Sequence, residues 1–149
     1  MDSHWTLRRV VAGDAEQVAA HGHFRGTDGE HRTRYAAWVQ PRIVSGSYVG
    51  WFAIMGSRVV GGAGANLLDW GPTRANPGGV MARVTNVFTD AAFRRRGIAR
   101  ALIATVLEHC ESRGVREFNL GSSEEGRALY CSLGFQAYPA EMRRRVAFR

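Results

Sequence analysis

The run Phe93-Arg94-Arg95-Arg96-Gly97-Ile98-Ala99-Arg100-Ala101-Leu102 holds the residues best suited to chemistry in this 149-residue chain. It predicts an arginine-rich turn at the mouth of an apolar helix, directly after a β-type run from Val84 to Thr89. Such a turn aims several backbone N–H groups at one point, and the helix N-terminus adds partial positive charge. That point is a seat for a phosphate or pyrophosphate. Gly97 has no Cβ, so the main chain there can approach a ligand closely. Small Ala99 keeps the first helical turn open.

The elements that must position this turn follow from periodicity. Thr6 to Val11 reads as a first strand, and Asp14 is placed to cap a helix from Ala15 to about His21. Phe24 to Glu30 is polar and glycine-rich and reads as a loop. Arg32 to Val44 reads as a second helix with Tyr35, Trp38 and Val39 on one face, strained or broken by Pro41. Tyr48 to Met55, the turn Gly56-Ser57, and Arg58 to Leu68 form a hairpin. Gly71 to Gly79 is a loop, and Val80 to Thr89 a central strand. The alternation Val80, Ala82, Val84 loses step before Val87, which predicts a β-bulge near Thr85-Asn86. Gly97 to Arg113 is the clearest helix, capped by Gly114. Glu117 to Leu120 is a strand, Ser123 caps a helix from Glu124 to Leu133, and Phe135 to Phe148 carries one or two closing strands. The expected fold is α/β (α+β): a mixed, mostly antiparallel sheet with a central parallel strand pair, flanked by helices.

Length and composition fit a single domain spanning residues 1–149, with 45% apolar residues to build a core. Net charge is +7, all 20 basic residues are arginine, and lysine is absent. Lysine nucleophiles and Schiff bases are therefore excluded. Cys110 and Cys131 show no metal-ligand spacing and no disulfide framework, and both read as packing residues. No metal is expected. No apolar run is long enough to span a membrane, and Met1-Asp2-Ser3-His4-Trp5 lacks the apolar region of a signal peptide. The expectation is a reduced, cytoplasmic protein.

Two motifs together resemble the GNAT superfamily of N-acetyltransferases. Val87-Phe88-Thr89 followed by Arg94-x-x-Gly97-x-Ala99 is similar to the family's acetyl-coenzyme A motif. Ala128-Leu129-Tyr130-Cys131-Ser132-Leu133-Gly134-Phe135 is similar to its Leu-Tyr-x-x-x-Gly-Phe ending. The resemblance covers roughly Val80 to Met142. Where many members carry an Asn and an Ala upstream of the tyrosine, this chain has Ser123 and Gly126.

The resemblance implies direct transfer of an acetyl group from acetyl-coenzyme A to an amine. Backbone amides from Arg95 to Arg100, with the side chains of Arg94, Arg95, Arg96 and Arg100, would hold the pyrophosphate alongside Gly97, Ile98 and Ala99. Val87, Phe88 and Thr89 would pair with the pantetheine arm, and an amide near Val87 would polarise the thioester carbonyl. Ser123 keeps a hydroxyl for the coenzyme, and Tyr130 matches the family's acid for the departing thiolate. The sequence does not single out a base; Glu141, on the expected closing strand, is one candidate. Asp28, Glu30, Asp69, His21, His23, His31 and a water chain are the other candidates.

Trp38, Asp69 and Asn86 are expected to contact the acceptor, with Tyr35, Trp51 and Trp70 as further aromatic walls. A small-molecule amine is the expected substrate, with an amine-bearing antibiotic such as an aminoglycoside as one candidate. A polycation would require acidic residues gathered in the cleft. Protein or peptide N-acetylation is the enzymatic alternative. An acyl-coenzyme A sensor without turnover, or an RNA-binding module using Arg143-Arg144-Arg145 and Arg149, are the readings from other classes, though no RNA-recognition signature is present. A homodimer through the closing strands is a further expectation.

Overall fold

The computed structural model describes residues 4–21 and 29–148. Five strands form one sheet in sequence order: β1 (Thr6–Arg9), β2 (Tyr48–Met55), β3 (Arg58–Asp69), β4 (Val80–Thr89) and β5 (Glu117–Asn119). All neighbours are antiparallel except β4 and β5, which are parallel. The parallel pair lies at the edge of the sheet rather than its centre, because residues 135–148 form no strand. The expectation of closing strands is thus overturned, and with it the basis for pairing across a dimer axis. Tyr138, Met142, Val146 and Phe148 are all exposed along this tail, so it has no apolar face folded against the sheet to fix a register.

The helices are α1 (Ala15–His21), α2 (Gly29–Ser45), α3 (Ile98–Ser112) and α4 (Glu124–Ser132). Ahead of α1, Asp14 accepts hydrogen bonds from the Val11 N–H and from Arg8, closing a short 3-10 turn. Pro41 does not end α2, which runs on to Ser45. A proline removes one backbone bond, but Ala36 and Val39 are buried against the sheet and Arg42 donates to the Trp38 carbonyl at 2.7 Å. Packing of the apolar face outweighs the lost bond.

Alternation in the strands divides the core in two. On one face, α3 buries Ile98, Leu102, Ile103, Val106 and Cys110 against Val49, Ala53, Val60, Ala63 and Ala65. Leu129 and Tyr130 of α4, and Leu133 just past its end, join that cluster. On the other face, Val18 and Ala19 of α1 and Ala36 and Val39 of α2 pack with Tyr48, Phe52 and Phe88. The Cys110 thiol, pushed up to about 11 chiefly by burial, is a packing group. Cys131 is exposed, contrary to its expected packing role.

The expected slip in β4 is present. Thr85 pairs with Gly64 but Phe88 with Gly62, so Asn86 and Val87 together oppose Ala63. Asn86 takes the left-handed conformation, φ 56°, and the facing of the strand reverses there. Ala82 and Val87 both pack on the α3 side, five residues apart, while Phe88 packs on the α2 side. The Asn86 amide donates to the Tyr35 hydroxyl at 2.8 Å and the Tyr48 hydroxyl at 3.1 Å. Tyr48 reaches it by crossing Gly64, where any Cβ would collide with the Tyr48 ring and hydroxyl. Gly64→Ala is therefore expected to cost about 3 kcal/mol, from overpacking plus a lost buried hydrogen bond. Thermal unfolding should show a fall in Tm of roughly 10 °C; an unchanged Tm would mean Tyr48 does not need the gap.

Candidate active site

β4 has ten residues but β5 pairs only with Met81, Ala82 and Arg83. Beyond Arg83 and Asn119 the two strands part, and a cavity of about 470 Å³ opens between them. Thr85, Asn86 and Val87 border it from β4, Asn66 from β3, and Gly121 and Ser123 from the segment leading into α4. Tyr130 of α4 closes one side. Its ring meets Phe135 edge-on, 5.9 Å between centroids, and burial raises its phenol above the ordinary value. Among the described residues no hydrogen bond engages that hydroxyl, so its proton is available to a ligand. Ser123 uses its oxygen to accept the Gly126 N–H at 3.2 Å, capping α4.

A second groove of about 230 Å³ lies at the start of α3. Thr89, Arg94, Arg95, Gly97, Ala99 and Arg100 border it. Arg95 and Gly97 are both left-handed, φ 63° and 78°, which curls the main chain ahead of the helix. No side chain caps the helix at Gly97, so its first N–H groups are left for another partner. A Cβ at Gly97 would meet nothing within 4 Å, because the position opens onto the groove. Uncapped amides, the helix dipole and guanidinium groups together suit a diphosphate.

A model of the acetyltransferase (GNAT) domain matches residues 29–146. The chain belongs to the GNAT acetyltransferase family. It is 31% identical over 86 residues to glucosamine 6-phosphate N-acetyltransferase of Trypanosoma brucei brucei, a match covering 58% of this chain and 56% of that protein. It is 35% identical over 89 residues to N-acetyltransferase 8 of Homo sapiens, covering 58% of this chain and 37% of that protein. The chain thus spans about half or less of the curated relatives it matches. A GCN5-related N-acetyltransferase from Ralstonia eutropha JMP134 superposes with a TM-score of 0.85 at 27% identity, covering 96% of this chain and 99% of that one.

Within this GNAT fold most of the expected coenzyme residues gather. Val87 borders the larger cavity, and Thr89, Arg94, Arg95, Gly97, Ile98, Ala99 and Arg100 the groove. The Arg94 Nε donates to the Thr89 carbonyl at 3.2 Å, and Arg100 donates to the Ser132 hydroxyl at 2.7 Å. Arg96 does not border the groove; its guanidinium lies 5.1 Å from the centre of the Phe93 ring. The Phe88 side chain points to the opposite face, stacked on His21 at 4.6 Å, so only its main chain is on offer.

The expected acceptor and base residues are dispersed. Glu141 is exposed on the tail that forms no strand and borders neither cavity. Glu30 faces Arg34, and Asp69 accepts from the Gly71 N–H. His21 and His31 border neither cavity, and His23 and Asp28 lie outside the described residues, as do Phe24 and Arg149. Trp38 stands on α2 under Arg42, Trp70 is exposed, and Trp51 packs on His109 on the α3 side. Asn86 is at the cavity, but its amide nitrogen is committed to the two tyrosines. Sequence reasoning missed Arg83 and Asn66. The alternation that places Ala82 and Val84 together also turns Arg83 to the other face, and that was the available signal.

Gly97→Glu should leave the fold intact, since the added side chain enters open space, although the left-handed backbone costs about 1 kcal/mol. Its carboxylate would occupy the anion seat. Calorimetric titration should show acetyl-coenzyme A affinity reduced at least 100-fold with cooperative unfolding retained; wild-type affinity would remove the groove from its role.

Proposed function

We propose that the chain transfers the acetyl group of acetyl-coenzyme A to the primary amine of a small molecule. The observation that supports this reading is the placement of Val87 and Thr89. They lie two residues apart on one strand, about 7 Å, the first at the cavity and the second at the groove. A ligand with its diphosphate on α3 and its arm along β4 would bring a thioester to Tyr130. Bound there, acetyl-coenzyme A supplies the activated acyl carbon.

The chain's residues then divide the work. Amides and arginines from Arg94 to Arg100 bind the diphosphate. The free edge of β4 beyond Arg83 hydrogen-bonds the arm. A main-chain N–H at the bulge, near Val87, faces the thioester oxygen as charge develops, worth about 3 kcal/mol. The amine nitrogen attacks the acyl carbon, the carbon–sulfur bond breaks, and the Tyr130 hydroxyl gives its proton to the leaving sulfur. The attacking nitrogen must arrive neutral. Among the described residues no aspartate, glutamate or histidine borders the cavity, and water is the acceptor we assign to the second proton. An exposed Glu141 has no part in this scheme.

Thiol release from acetyl-coenzyme A over an amine panel tests the reading, and a protein that binds the coenzyme without release from any amine is the sensor alternative. Tyr130→Phe should lower kcat about 100-fold with little change in KM for acetyl-coenzyme A. Equal turnover would remove Tyr130 from the role of acid. Because burial raises the phenol, its proton is kept below pH 10 and lost only above that. Rate should rise with pH up to the amine's own pKa, with no fall from Tyr130 below pH 10.

A further inference from the structure

The face of the cavity away from α3 carries a cation with no acid beside it among the described residues. Arg83 borders the cavity and is half-buried, and its register partner on β3 is Asn66. Its Nη1 donates to the Asn119 Oδ1 at 3.1 Å, which fixes the plane of the guanidinium. Its Nη2 lies beside Gly121, at the point where β5 has ended. No carboxylate among the described residues comes within 4.0 Å of it. Glu117, on the same strand pair, is engaged by the Asn76 amide at 3.3 Å. Asn66 adds a buried Oδ1 with no partner among the described residues.

A half-buried guanidinium loses part of its hydration, and a neutral amide returns only some of it. An anion meeting the remaining N–H groups restores the rest, and the planar fork matches a carboxylate or phosphate with two parallel hydrogen bonds. We propose that the acceptor is an amine that also carries an anionic group, a carboxylate or a phosphate, and that Arg83 holds this group on the far side of the parted strands from Tyr130. This rests on the acetyl-transfer reading above and narrows its substrate. A polycationic acceptor meets the opposite situation: Arg83 repels it, and among the described residues no acid borders the cavity to receive it. The net charge of +7 draws anionic amines to the chain in the same sense.

The test uses matched amines with the full chain and saturating acetyl-coenzyme A: glucosamine against glucosamine 6-phosphate, ethanolamine against phosphoethanolamine and β-alanine, and spermidine as the polycation. The expected result is a kcat/KM at least tenfold higher for the anionic member of a pair, with the phosphate and carboxylate arms showing which anion is preferred. In Arg83→Gln that ratio should fall towards one while acetyl-coenzyme A affinity is kept, and Arg83→Lys should lie between. Equal rates across each pair, or spermidine as the best acceptor, would overturn the proposal and leave acetyl transfer standing. Thermal shift with coenzyme A bound supplies a readout without turnover. If no amine is acetylated, stabilisation by glucosamine 6-phosphate but not glucosamine, lost in Arg83→Gln, would keep the anion site and remove the transfer reading. Absence of that difference would remove the anion site as well.

Discussion

The site depends on one buried polar contact, the Asn86 amide between the hydroxyls of Tyr35 and Tyr48. A left-handed asparagine in the middle of a strand costs roughly 1–2 kcal/mol. Two buried hydrogen bonds return about 1 kcal/mol each, so they offset the strain and hold the bulge in one conformation. The bulge reverses the facing of β4, and that reversal lets Thr85 face one side of the sheet while Val87 faces α3. Burial raises the phenols of both tyrosines, which keeps them neutral and able to accept from the amide through the physiological range. A chain of small requirements leads to this point. Gly64 has no side chain, so Tyr48 can cross β3; Tyr48 and Tyr35 then anchor Asn86.

Electrostatics at the two ends of the site come from different sources. At the groove, main-chain amides of α3 carry the positive potential, and the arginine side chains supplement it. Arg94 and Arg100 are partly spent on the Thr89 carbonyl and Ser132, and Arg96 rests on Phe93. The backbone is the fixed part of this groove, because its direction is set by Arg95, Gly97 and the packing of Ile98 and Leu102 into the core. At the cavity the positive charge is a side chain, Arg83, held in plane by Asn119.

Local signals made much of this legible. The bulge followed from a broken alternation, the helix α3 from its apolar spacing, and the turn ahead of it from arginines around a glycine at a helix start. These are properties of neighbours in sequence. The Tyr35–Asn86–Tyr48 contact joins residues 38 and 51 positions apart, and no spacing rule connects them. Trp38, Trp51 and Trp70 look equivalent as letters, yet they stand on a helix face, on the α3 side and in solvent. Phe135 to Phe148 is expected to carry closing strands, but its large apolar residues Tyr138, Met142, Val146 and Phe148 are exposed, and no buried face fixes that segment against the sheet. Pro41 misled in the other direction: its cost is real, but burial of Ala36 and Val39 exceeds it.

The grip of the α3 amides on a diphosphate is tested most directly by backbone amide NMR during titration with coenzyme A. Large shifts and slowed hydrogen exchange are expected at residues 95–100 and at Val87 and Thr89, with the exposed arginines 143–145 unmoved. Movement confined to that arginine tail, with the amides at the head of α3 unchanged at saturation, would show that the coenzyme binds elsewhere and that the parted strands serve another purpose.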